Sequence, residues 1–278
     1  MNNKIKIAWY GKHFGEEPPL IGDNPKNKRY GAGAIFFSGC NAHCVFCQNH
    51  QISQSDLGKE YSVEEVADIM MDLENKGAVN IDLVTPTIWW RPLRQSIILA
   101  RQNGLSIPIV WNSNAYESVG VLRQMFNLVD IYLPDFKYGS DEVAVKYSRL
   151  PKYSQIAEEA LREMFRQVGH LETDEDGLAK RGVIVRHMVL PDNLENTFLA
   201  LERIATINKD LRLSLMSQYY PIYKTVDFPE INRPVSLEEA AAAENKKLEL
   251  GLEYGWTQEP EAGEIFLPDF NKINPFEK

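Results

Sequence analysis

The sequence predicts an α/β fold: an incomplete (β/α)6 TIM-type barrel with an N-terminal arm and a C-terminal extension. Three observations carry that expectation. Apolar, β-branched runs alternate six times with segments of helical period, which implies a parallel sheet with right-handed crossovers. The 278 residues suit one such barrel, for which ~250 residues are typical. No glycine-rich dinucleotide fingerprint follows the first strand, because Gly31-Ala32-Gly33 precedes it. Six units build either an open doubly wound sheet or an incomplete barrel, and the missing fingerprint tilts the reading to the barrel.

The first strand is predicted over 34–38, where Gly39 turns the chain into a cysteine-bearing loop. Ser62 with Glu65 forms a capping box for a helix to about Lys76, and Gly77 stops it. Strands follow at 81–84, 107–111 and 129–133, separated by helices over 91–102 and 117–126. A longer helix at 154–168, a strand at 183–189, a helix at 194–207 and a strand at 211–215 complete the six units. Ser236 caps a last, alanine-rich helix to about Leu250. Residues 1–30 and 221–235 read as irregular, and the acid-rich segment 171–181 as a solvated connector. Nothing resembles a linker, so a single domain is expected: arm 1–32, barrel core 33–220 and extension 221–278.

Hydrophobic residues make up 44% and charged residues 25% of the chain, a globular composition that excludes disordered and fibrous classes. The net charge of −9 argues against general affinity for nucleic acid or anionic membrane. No window approaches the ~18 apolar residues of a membrane span, and Met1-Asn-Asn-Lys4 does not open a signal peptide. A cytoplasmic location is expected. The three cysteines, Cys40, Cys44 and Cys47, all fall in one short stretch. An odd number packed so closely is a poor disulfide framework and reads as a ligand set.

Parallel α/β folds collect ligands at the carboxyl ends of their strands. Those ends carry the cysteine loop, then Thr85-Pro86-Thr87, Asn112-Ser113-Asn114, Asp135 and Lys137, Arg186 and His187, and Met216 to Tyr220. Three thiolates in a C-x3-C-x2-C loop, with Phe46 before the last, can hold three irons of a four-iron cluster and leave one iron open. The rival is a zinc site completed by His43 or His50, which would make the chain a non-catalytic metal-binding protein. For His187 the plain reading is a satisfied core histidine, and for Trp89 and Trp90 it is packing. His13, Glu16 and Glu17 belong to the arm, for which the plain reading is a solvated cap.

The cysteine motif, its position and the six-unit array resemble the radical S-adenosylmethionine superfamily. More narrowly, 39–49, His13-Phe-Gly-Glu-Glu-Pro-Pro19, Val84-Thr-Pro-Thr87, Asp130-Ile-Tyr-Leu-Pro-Asp-Phe-Lys-Tyr138 and Ser217-Gln-Tyr-Tyr-Pro221 resemble proteins related to the pyruvate formate-lyase activating enzyme. The resemblance implies a [4Fe–4S] cluster on Cys40, Cys44 and Cys47, and reductive cleavage of S-adenosylmethionine to a 5′-deoxyadenosyl radical that abstracts hydrogen. It places the backbone at Phe46 near the adenine, gives Thr85, Thr87, Asn112, Ser113 and Asn114 to the cofactor, and, through the shared 13–19 string, implies an arm that closes over the pocket. Lys137 or Arg186 would take the cofactor's carboxylate and Gln218 its ribose, while Asp135, Lys137 and His187 are the catalytic candidates. The partners implied are a glycyl radical enzyme or other protein or peptide substrate, and a reductant such as flavodoxin or ferredoxin. Two departures stand out. Relatives carry Gly-Gly-Glu where this chain has Thr85-Pro86-Thr87, and aspartate where it has Asn112. The other activities open to the class are radical modification of another peptide, a nucleotide or a small metabolite.

Overall fold

The structure, a computed structural model, describes residues 4–22, 30–55, 57–258 and 267–277. In chain order its elements are β1 (Ile5–His13), α1 (Pro18–Ile21), β2 (Ala32–Phe37), α2 (His50–Ser53), β3 (Lys59–Tyr61), α3 (Val63–Asn75) and β4 (Ile81–Val84). Next come α4 (Trp90–Gln102), β5 (Ile109–Ser113), α5 (Val119–Gln124), β6 (Ile131–Pro134), α6 (Asp141–Ser148) and α7 (Tyr153–Val168). The chain ends with β7 (Glu172–Thr173), β8 (Ala179–Met188), α8 (Leu194–Ile207), β9 (Arg212–Met216), α9 (Leu237–Glu249) and β10 (Gly255–Gln258).

Strands β2, β4, β5, β6, β8, β9 and β10 pair in parallel in that order, so a seventh parallel strand joins the six expected. The sheet does not close. Its far edge is finished by β1, antiparallel to β2, and by β3 beyond it. The expectation of an irregular arm is corrected here. Ile5 and Ile7 alternate with lysine and are buried in the layer between sheet and helices, and only the shift in register between Ile7 and Trp9 disguises the strand period. The connector at 171–181 likewise includes a short hairpin strand, β7, on β8.

Each parallel strand serves two faces. Ile81, Leu83, Ile109, Trp111 and Tyr132 pack outward against Leu93, Ile97 and Leu161 of the helices. The alternate residues Val110, Ile131, Leu133 and Ile184 face inward and surround Leu20 of α1. The arm therefore plugs the concave side of the open barrel. Burying Leu20 contributes about 2 kcal/mol. Both predicted capping boxes form: Ser62 Oγ accepts from Glu65 N at 3.2 Å, and Ser236 Oγ accepts from Glu239 N at 3.2 Å.

Candidate active site

Gly39, at φ +84°, makes the left-handed turn that ends β2 and starts the cysteine loop. Distant backbone holds that loop down: His43 N donates to Ser148 O at 3.0 Å, and Val45 N donates to Tyr147 O at 2.9 Å. Each thiol has a hydrogen-bonding neighbour. Ser148 Oγ donates to Cys44 Sγ at 2.9 Å, Cys47 Sγ lies 3.3 Å from Ser53 Oγ, and Asn114 Nδ2 donates to Cys40 Sγ at 3.6 Å. All three sulfurs line a cavity of about 240 Å³. Among the described residues, no three His, Cys, Asp or Glu side chains converge on a single ion position. Burial raises the thiols, Cys40 to about 11 and Cys47 to about 12, with Cys44 adding repulsion to both. Metal loading at this wall is accordingly coupled to proton release.

The donor set suits an iron–sulfur cluster with one open iron. Among the described residues, neither histidine of the zinc alternative stands ready as a fourth ligand: His43 is exposed, and the His50 ring is engaged elsewhere. The His50 ring stacks on Tyr223 at 4.7 Å, with Nδ1 3.1 Å from Cys47 O.

Facing the thiols are the ends of β5, β6 and β8. Arg186 is the hub: Nε donates to Asp135 Oδ1 at 2.6 Å, Nη1 to Glu16 Oε2 at 3.0 Å and Nη2 to Asn112 Oδ1 at 2.6 Å. Lys137 Nζ donates to the other Asp135 oxygen at 2.6 Å. Burial works against the Asp135 charge, but Arg186 and Lys137 outweigh it and hold the carboxyl below its ordinary value. Asp82, one strand away, accepts from Asn112 Nδ2 at 3.3 Å, and burial and Glu16 push it well up. Burial also raises Glu16 and Glu17 against the pull of Arg186. His13, 3.8 Å from Glu16, is lowered to about 4 by burial and by Arg186.

The structure brings Cys40, Cys44, Cys47, Phe46, Thr85, Asn112, Ser113, Asn114, Asp135, Lys137, Arg186 and Gln218 to this one cavity. It does not bring Thr87 or His187 there. Thr87 Oγ1 turns away to donate to buried Glu117 at 2.8 Å. His187 lies in the core with Nδ1 2.6 Å from Phe136 O and Nε2 3.1 Å from Thr197 Oγ1, the satisfied histidine of the plain reading. Trp89 Nε1 donates to Ser38 O at 2.9 Å and packs. Thr85 sits at φ +57°, an outlier for a β-branched residue, where glycine would be relaxed.

Sequence reasoning missed Tyr153. Its hydroxyl accepts from Lys137 N and lies 2.8 Å from the carbonyls of Asn114 and Asp135, locking two strand ends together. Nothing in its local pattern distinguishes it from a core tyrosine. Gln258 of β10 and Phe276 of the tail also line the cavity, and no motif marks either.

A parallel, incompletely closed α/β barrel with three thiols at the end of its first parallel strand defines a class. The Radical SAM superfamily model matches residues 34–176, and the chain belongs to that superfamily. Its cofactors are a [4Fe–4S] cluster and S-adenosylmethionine. An uncharacterized protein of Methanocaldococcus jannaschii is 32% identical over 267 residues, 90% of this chain and 69% of that protein. Methylornithine synthase (PylB) shares the fold at 17% identity and TM-score 0.52, over 79% of this chain. Streptococcus suis SuiB bound to S-adenosylmethionine does so at 10% identity and TM-score 0.55, over 80% of it. SuiB has also been solved bound to the precursor peptide SuiA. The chain spans 61% of methylornithine synthase and about half of SuiB. Among the described residues, no helix is long and apolar enough to cross a membrane.

Proposed function

We propose that this protein abstracts a hydrogen atom from a peptide or small-molecule substrate whose reacting group enters the cavity between the thiols and the Arg186 hub. The observation that carries the reading is the meeting of three supported thiols and the Asp135–Lys137–Arg186 cluster in one cavity. Cys40, Cys44 and Cys47 would hold the cluster. When bound, the cluster and S-adenosylmethionine supply the reducing electron and the 5′-deoxyadenosyl radical.

The chain's own residues bind, orient and shield. Lys137 keeps its charge: burial opposes it, but the Asp135 carboxylate raises its pKa, so it presents an ammonium to a carboxylate beside the thiols. Asp135 fixes the direction of that ammonium, and Tyr153 fixes the strand ends that carry both. Asn114 ties the end of β5 to the cysteine loop by donating to Asn41 Oδ1 at 2.7 Å. Phe46, held edge-on by Tyr219 at 5.9 Å, gives the adenine a fixed apolar neighbour. His13, Phe36 and Phe276 close the rim and exclude water from a radical.

Placement of a glycyl radical on a partner protein is a second reading. It is favoured by the Asp135–Lys137 pair, which resembles the Asp-x-Lys of the activating enzymes.

The test is anaerobic reconstitution followed by incubation with dithionite and S-adenosylmethionine. Wild type is expected to form 5′-deoxyadenosine and Cys44→Ala only background amounts; equal product from both would sink the reading. Electron paramagnetic resonance of a co-incubated glycyl radical enzyme then separates the two readings, the second requiring a glycyl signal.

A further inference from the structure

Strand order sets the two walls of the cavity apart. The cysteine loop follows β2, whereas β8, β9 and β10 lie at the other end of the parallel run. On that far side the arm contributes Glu16 and Glu17, and β10 contributes Gln258. Behind them stand Asp82 and Asp135, so four carboxyls share two fixed cations, Arg186 and Lys137.

Arg186 is already committed to Asp135, Glu16 and Asn112, and it reaches Glu17 only at 4.0 Å. Glu17 is 3% exposed and lines the cavity, and its Oε2 makes no hydrogen bond of ordinary geometry; the protein group that reaches towards it is the buried, likewise unpaired hydroxyl of Ser214. Gln258 Oε1 lines the same cavity and is also without a hydrogen-bond partner.

Buried polar atoms are almost always paired, so two orphaned oxygens in one cavity identify what the ligand must bring. Both accept, so the ligand donates. Arg186 is already shared among the carboxyls, so a donor that also carries positive charge supplies the counter-charge that Glu17 meets only at 4.0 Å. A primary ammonium is a compact charge with three N–H donors, whereas a quaternary ammonium has none. A bare metal ion has no three-ligand site among the described residues.

We propose that Glu17, supported by Glu16 and Gln258, forms a subsite that receives a primary ammonium group of the substrate. It rests on the hydrogen-abstraction reading above and deepens it by naming the chemistry of the substrate. The position across the sheet from the cysteine loop assigns the subsite to the substrate rather than to the amine of S-adenosylmethionine. Arm closure then has a chemical role, since the segment that plugs the barrel also carries the recognition carboxylates.

The test titrates n-butylammonium, 1-butanol and butyrate into the reconstituted protein, with and without S-adenosylmethionine, followed by saturation-transfer NMR. The cation is expected to bind at least tenfold more tightly than either analogue, to bind together with S-adenosylmethionine, and to lose that preference in Glu17→Gln. Equal binding of the three probes, unchanged preference in Glu17→Gln, or displacement of the cation by S-adenosylmethionine would overturn the proposal. Thermal unfolding of the variant is read alongside. If Glu17→Gln does not fold, Gln258→Leu takes its place, with an expected weakening of about threefold. 5′-Deoxyadenosine formation is assayed on the same preparation. Its absence removes the radical reading, while the probe preference is judged by binding alone.

Discussion

The two walls of the cavity reach similar burial by different routes. The cysteine wall comes from consecutive residues, 40–47, braced by Ser148, Ser53 and Asn114. The opposite wall joins Glu16 before α1, Asn112 of β5, Asp135 after β6 and Arg186 of β8, with Glu16 and Arg186 170 positions apart. One wall is a local motif whose thiols are neutral until metal arrives. The other is a charged network that exists only once the barrel has formed. The first wall offers the soft metal ligands, and the second carries the buried ion pairs.

That contrast can be broken experimentally, and the strongest challenge is loss of function without loss of fold. Cys44→Ala removes a ligand but leaves no buried charge, so product formation is expected to collapse while stability in urea changes by about 1 kcal/mol. Arg186→Met should behave the other way. It removes the cation paired with Glu16 and leaves Asp135 to Lys137 alone, with an expected loss of about 3–5 kcal/mol read as a lower urea midpoint. Adding Glu16→Gln to Arg186→Met should recover part of that loss. Equal stability losses in Cys44→Ala and Arg186→Met would erase the distinction between the walls.

A pH experiment sharpens it. Burial keeps His187 neutral down to about 4, whereas in the unfolded chain it titrates near ~6.5. Between those values the unfolded state carries the extra proton, so this residue's contribution to stability rises with pH across that window. Urea unfolding at pH 4.5 and pH 7 should show a loss on the acid side on the order of 2–3 kcal/mol from this residue. His187→Gln should lack that component. A wild-type and variant difference that does not change with pH would contradict the placement. The smallest effect is expected at Thr85, where Thr85→Gly relieves a left-handed β-branched residue and should stabilise the fold by about 1 kcal/mol, measured in the same way.

The six βα units were legible because apolar periodicity is local: α8 falls at Leu194–Ile207 as predicted, and both capping boxes form. Strand β1 was hidden by its bulge. Strand β10 was hidden because Gly255-Trp-Thr-Gln258 has no apolar run and is a strand only by pairing with β9. At the site, Asn112, Asp135, Lys137 and Arg186 could be placed because strand ends converge in any parallel barrel. Thr87 could not, because its hydroxyl is taken by Glu117, a partner thirty residues away that only folding reveals.

By itself the sequence determined the class of this protein, its alternation of elements and its three soft ligands, since thiol spacing and hydrophobic period are properties of neighbouring residues. The tertiary structure decided the rest. Which carboxylates surround Arg186, which oxygens go unpaired and where the arm lies depend on long-range packing, and burial and the neighbouring charges together set the protonation of that wall.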